Sequence, residues 1–172
     1  MHRIDKDTSG LLVIGKTEFA MTHLSLAVLP PHHSAAATWR LVWGTPKEAK
    51  GTVRGHIGRS LRDRKVQAVY PGGEQGKAAV THYEVLRNYG PVTLISCVLE
   101  TGRTHQIRAH MQHLGHPLFN DATYGGNRIR VGPNTASYRA FVENASSCFR
   151  GRLCMPSSLG FVQPTTGQAT AF

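Results

Sequence analysis

The chain has 172 residues, Lys plus Arg 20 against Asp plus Glu 10, a formal charge of +10 and a pI near 10.1. At 40% hydrophobic residues it is too apolar for a disordered basic tail. No apolar run nears the roughly 18 residues of a membrane helix. The short stretch from Gly10 to Gly15 lies behind charged residues, unlike a signal peptide. Gly and Pro together make about 16% of the chain against roughly 12% in average usage, which favours a turn-rich fold over a helical bundle. Three cysteines, Cys97, Cys148 and Cys154, lack zinc-type spacing and fit the thiols of a cytoplasmic protein.

In chain order, residues 10–15 (GLLVIG) read as a short buried strand. Thr17 is a candidate N-cap for a helix over 18–25. Residues 41–43 read as strand, ended by Gly44-Thr45-Pro46, and 51–75 as hairpins with a basic loop. The alternating stretches 79–86 and 92–99 predict paired antiparallel strands around Asn88-Tyr89-Gly90-Pro91. A helix is predicted over 104–114, stopped by Gly115 and Pro117. Residues 161–172 predict a final hairpin turning at Thr165-Thr166-Gly167. The expected fold is one α+β domain with a mixed, mostly antiparallel sheet and flanking helices.

The positive charge is spread over several segments: Arg54, Arg59, Arg62, Arg64 and Lys65; Arg103 and Arg108; Arg128, Arg130, Arg139, Arg150 and Arg152. Distributed charge fits a groove for a polyanion, because each neutralised phosphate releases counterions. Nucleic acid is the expected partner, with no membrane partner. In the loop at 51–75, Arg62, Arg64 and Lys65 are candidate substrate contacts; a solvated hairpin is the alternative.

Two stretches are dense in chemistry. The first is His2-Arg3-Ile4-Asp5-Lys6-Asp7-Thr8-Ser9-Gly10. Arg3 and Lys6 favour an ionised Asp5, which can then act as nucleophile or base. The residues alone leave two readings open, a catalytic loop or a capped polar turn. The second runs Thr101-Gly102-Arg103-Thr104-His105-Gln106-Ile107-Arg108 and on to Pro117. On a helix, Arg108 turns to a pocket while Ile107 and Leu114 pack. Arg103 and Thr104 at the helix start suit a phosphate held by free amides. His105, His110, His113 and His116 lack a carboxylate or cysteine at ligand spacing, so they read as solvated or RNA-facing side chains with no metal.

Together these motifs resemble the RluA-type family of RNA pseudouridine synthases. The first resembles its His-Arg-Leu-Asp-x-x-Thr-Ser-Gly loop, with Ile4 for Leu, and the second its Gly-Arg-x-His-Gln-Ile-Arg motif. Gly115-His116-Pro117 and Asp121 through Tyr124-Gly125 continue the likeness. So do Leu159-Gly160-Phe161 and Pro164, with Gln163 where the family has His. The resemblance implies the pseudouridine synthase catalytic fold and isomerisation of uridine in structured ribosomal or transfer RNA without cofactor or metal. It implies Asp5 as the catalytic carboxylate, Arg108 as the arginine that pairs with it, and Arg3 near an extruded nucleotide. Arg103, Thr104 and His105 are expected on the RNA side of the same site.

The sequence also departs from that pattern. Met1 abuts the catalytic loop, so the catalytic domain is expected to lack its first strand and any S4-type RNA-binding module. Thr38 stands where the family has a tyrosine that stacks on the base and moves a proton, and Trp39 would face the other side of a strand. Segments 26–40 and 146–157 depart most. Possible codings for parts of both, read in a shifted frame, give family-like residues, so paired frameshifts in the source gene are the working hypothesis. The alternative function is a catalytically impaired RNA-binding fragment. A metal-dependent hydrolase is a third reading.

Overall fold

The computed structural model describes residues 14–27, 37–148, 154–156, 160–162 and 164–171. The loop carrying Arg3 and Asp5, most of the strand predicted over 10–15, and segments 28–36 and 149–153 lie outside the described residues. Of residues 10–15, Ile14 and Gly15 belong to no element.

Helix α1 spans Glu18–Ala27. Its N-cap is the predicted one: the Ala20 amide donates to Thr17 Oγ1 at 3.1 Å. The strands are β1 (Thr38–Trp43), β2 (Lys50–Arg59), β3 (Gln67–Tyr70), β4 (Lys77–Asn88), β5 (Val92–Leu99) and β6 (Cys154–Pro156). They form a six-stranded sheet in the order β3-β2-β4-β5-β1-β6. Every described pairing is antiparallel, as the α+β reading anticipated for most of the sheet. The predicted hairpin β4–β5 pairs Tyr83 with Cys97 and Val85 with Ile95, with a bulge between Val85 and Arg87. Gly90, at φ +84°, supplies the left-handed residue of its turn. Pro156 sits on β6, the edge of the described sheet, where proline is tolerated. The closing hairpin, β7 (Gly160–Val162) with β8 (Ala169–Ala171), turns at Gly167, φ +68°, as predicted.

Strand alternation decides the layers. Val42, Val53, Ile95 and Cys97 turn to one face and pack against Ile107 and Met111 of helix α2 (Gln106–His113). Leu41, Trp43 and Val92 turn to the other. There they meet Phe119 and the Tyr138, Val142 and Ala145 side chains of helix α3 (Ala136–Cys148). The sheet is thus covered by α2 on one face and by α3 near one end of the other. No helix among the described residues is long and apolar enough to cross a membrane.

The second motif folds differently from expectation at both ends. Helix α2 begins at Gln106, not 104, because His105 adopts a left-handed conformation, φ 56° and ψ 24°. Of the two amides expected to be free for a phosphate, that of Arg103 donates instead to Gln106 Oε1 at 2.9 Å. Leu114 lies beyond the last turn, and Gly115 at φ +86° ends the helix, so Leu114 is 38% exposed rather than packed.

Candidate active site

Helix α2 presents Arg108 to a short connection, Leu118 to Gly126, that contains a 3₁₀ turn at Ala122–Tyr124. Arg108 is 5% exposed and Asp121 fully buried. Arg108 Nε donates to Asp121 Oδ2 at 2.7 Å and Nη2 to Oδ1 at 2.9 Å, a side-on bidentate pair. The guanidinium also lies over the Tyr124 ring, 4.6 Å from its centroid. Two constraints thus fix the arginine: a planar fork on one edge and a ring against its face.

Backbone turns hold this clamp. The Tyr124 and Gly126 amides donate to the Asp121 carbonyl at 3.2 and 2.7 Å. Gly126 must be glycine: a Cβ there would overlap the Leu118 carbonyl. Its own carbonyl accepts from Trp43 Nε1 at 2.7 Å, tying the connection to β1. The Tyr124 hydroxyl accepts the Gln67 amide of β3 at 3.0 Å and shares a 3.1 Å bond with His105 Nδ1. The left-handed His105 is therefore anchored by its ring, and the turn that starts α2 is anchored with it.

Gln106 secures the other side. Its Oε1 accepts from Thr101 Oγ1 and the Arg103 amide. Its Nε2 donates to the Val80 carbonyl and Thr81 Oγ1. All four amide valences are used, and α2 is bolted to β4. Thr81 Oγ1 also shares a 2.8 Å hydrogen bond with His110 Nδ1. His110 is fully buried, and its Nε2 has no partner. Desolvation, with a smaller contribution from His113, pushes its pKa down to about 4, so the ring is neutral near pH 7.

The histidines therefore part ways. His110 is a core residue, correcting its reading as solvated or RNA-facing, because the α2–sheet contact seals it. His116 Nδ1 donates to the Trp43 carbonyl at 2.8 Å, His113 is exposed, and His105 belongs to the clamp. Among the other predicted residues, Arg62, Arg64, Lys65 and Thr104 are exposed. Arg103 Nε donates to the Ala78 carbonyl at 3.0 Å, at the same end of α2. The basic loop lies between β2 and β3, where Lys65 is tied by its amide to Asp63 Oδ1. Thr38 occupies β1 with its hydroxyl on the Cys97 carbonyl at 3.3 Å. Asp5 and Arg3 lie outside the described residues, and the described carboxylate partner of Arg108 is Asp121. Sequence reasoning had included Asp121 and Tyr124 only as continuation of a motif. Their spacing of three, followed by two glycines, is the signal that a tight turn brings them to one side chain.

The arrangement is a buried guanidinium paired with a carboxylate along one edge and covered by an aromatic ring on one face. A solved structure with the same architecture is Human RNA Pseudouridylate Synthase Domain Containing 1, with a TM-score of 0.74 and 24% identity, covering 99% of this chain and 66% of that one. Human RNA Pseudouridylate Synthase Domain Containing 4 superposes with a TM-score of 0.72 at 19% identity. The fold is thus that of pseudouridylate synthase domains. A family model described as RNA pseudouridylate synthase matches residues 1–113. An uncharacterized RNA pseudouridine synthase of Chlorobaculum parvum is 41% identical over 100% of this chain and 52% of its own length. The Ribosomal large subunit pseudouridine synthase D of Zymomonas mobilis is 37% identical over 100% of this chain and 50% of its own. The chain belongs to the RNA pseudouridylate synthase family. It spans about half the length of these curated relatives.

Proposed function

We propose that the chain carries the catalytic centre of an RNA pseudouridine synthase acting on ribosomal RNA, with Asp5 as its catalytic carboxylate. The observation that carries this reading is the clamp on Arg108. Asp121 holds the Nε edge of the guanidinium and Tyr124 covers its face. An arginine fixed so firmly can orient a second carboxylate without reorganising, and Asp5 is the candidate that the shared motif supplies. Asp5 would act on the sugar or the uracil while the glycosidic bond breaks, the base turns and the ring rejoins ribose through carbon. No redox or metal step is required by that chemistry. The uridine must leave its stack, at a cost of a few kcal/mol that phosphate contacts to Arg62, Arg64, Lys65, Arg103 and Arg3 would offset. The ribosomal assignment rests on relatives named as large-subunit enzymes.

Thr38 favours a second reading of the chain as it stands, an RNA-binding unit with little turnover. Its hydroxyl is engaged by the Cys97 carbonyl and it has no ring to stack on a base. Pseudouridine formation on total ribosomal and transfer RNA, with Asp5→Asn alongside, tests both. Turnover lost in Asp5→Asn with RNA affinity retained supports the enzyme. RNA binding without turnover in either protein supports the second reading.

A further inference from the structure

Strand β1 carries an arginine that the clamp does not use. Arg40 lies on the α2 face of the sheet, since it alternates with Leu41 and pairs with Ile95, which packs against Ile107 and Met111. It is only 9% exposed. Its Nη1 donates to the Trp39 carbonyl at 3.0 Å, and no carboxylate among the described residues pairs with it. A guanidinium is cationic at any working pH, and burying one without a counter-charge is costly. The sealed, unpartnered side-chain atoms among the described residues are His23 Nδ1, His56 Nδ1 and His110 Nε2. The Arg40 nitrogens are not among them, so the stem is buried while the head keeps a path to solvent. Arg40 shares its face with Thr38, two residues earlier.

We propose that Arg40 is an anion-binding residue of this face, taking a phosphate of the RNA backbone. A phosphodiester supplies the missing charge, and its oxygens match the fork of N–H groups left beyond the Trp39 bond. The proposal rests on the reading of this chain as an RNA-binding synthase domain for the identity of the ligand. The anion site itself does not depend on turnover.

The test uses the full chain and Arg40→Met, which keeps length and apolar stem while removing charge. Thermal midpoints are measured against inorganic phosphate at constant ionic strength set with chloride. RNA affinity is measured with a ribosomal RNA fragment across salt. The expected result is a saturable rise of the midpoint with phosphate in the parent chain, at least about tenfold weaker in Arg40→Met, and a loss of about one unit from the slope of log K against log salt. An equal phosphate response in both proteins overturns the anion site. A response that depends on Arg40 with an unchanged RNA slope overturns the RNA backbone as its ligand and leaves a free-phosphate site. Should Arg40→Met not fold, Arg40→Lys keeps the charge but not the fork. It is expected to weaken the phosphate response severalfold, and an unchanged response overturns the proposal. Absence of pseudouridine formation would count against the synthase reading alone.

Discussion

Arg108 and Asp121 are thirteen residues apart and form a fully buried, side-on ion pair at 2.7 and 2.9 Å. Each partner is expensive to bury alone, so the pair is far more sensitive to loss of one member than to loss of both. Asp121→Asn is expected to destabilise the chain by about 3–5 kcal/mol. The double variant Arg108→Met with Asp121→Leu should recover much of that loss. Urea unfolding of the parent, Asp121→Asn and the double variant measures both, and a double variant no more stable than Asp121→Asn would refute the coupling.

Tyr124 joins three elements through one hydroxyl. Tyr124→Phe keeps the ring over Arg108 but strands the Gln67 amide and releases His105. The expected cost is about 1–2 kcal/mol. Hydrogen exchange should quicken at the Gln67 amide while the Leu114 amide, bonded to the His110 carbonyl at the far end of α2, remains protected. Uniform protection across the two proteins would show that the hydroxyl carries no such link.

Gln106 makes four hydrogen bonds in a buried setting. Gln106→Met matches its length, leaves the Arg103 amide without Gln106 Oε1, and takes one bond each from the Val80 carbonyl, Thr81 and Thr101, which keep the Glu100 amide, His110 and the Val80 amide as partners. A loss of roughly 2–4 kcal/mol is expected, larger than for a typical surface change. Calorimetric unfolding measures it, and a loss below about 0.5 kcal/mol would mean that water replaces these bonds.

His110 ties stability to pH. Its folded pKa, about 4, lies below the ordinary histidine value of 6.5. Between those values the unfolded chain takes up a proton that the folded chain refuses, so stability falls as pH drops from about 6.5 to 4. The full effect is of order 3 kcal/mol, and it is absent above pH 7. Unfolding at pH 7.5 and 5 should show this fall in the parent chain, and a much flatter profile in His110→Gln.

Arg62, Arg64 and Lys65 extend from the β2–β3 loop into solvent. Each change to Ala is expected to lower the salt slope of RNA binding by about one and to leave the melting midpoint unchanged. Fluorescence anisotropy across a salt series measures this. Unaltered slopes in all three would make the loop a solvated hairpin.

Much of this molecule is legible in its sequence. Alternation at 79–86 and 92–99 forces a half-buried strand pair, and the Asn-Tyr-Gly-Pro run between them admits only a turn. Thr17 before Glu18 is a cap because its hydroxyl reaches the third helical amide. The two motifs pointed to the family for the same local reason: their residues are consecutive. Helix α2 begins two residues later than its periodicity implies, because periodicity does not report φ and His105 takes a left-handed turn that a distant tyrosine stabilises.

The sequence by itself determined the basic character of the chain, its hairpins and the helix that carries Arg108, because charge, alternation and capping act between near neighbours. Tertiary structure alone decided what that helix meets. Asp121 and Tyr124 reach Arg108 only because a glycine turn folds them back against α2. His110 became a neutral core residue only once the sheet and helix closed over it, and the Arg40 stem was buried only within the assembled sheet. Burial and charge pairing depend on which surfaces come together, and no local pattern in the chain encodes that.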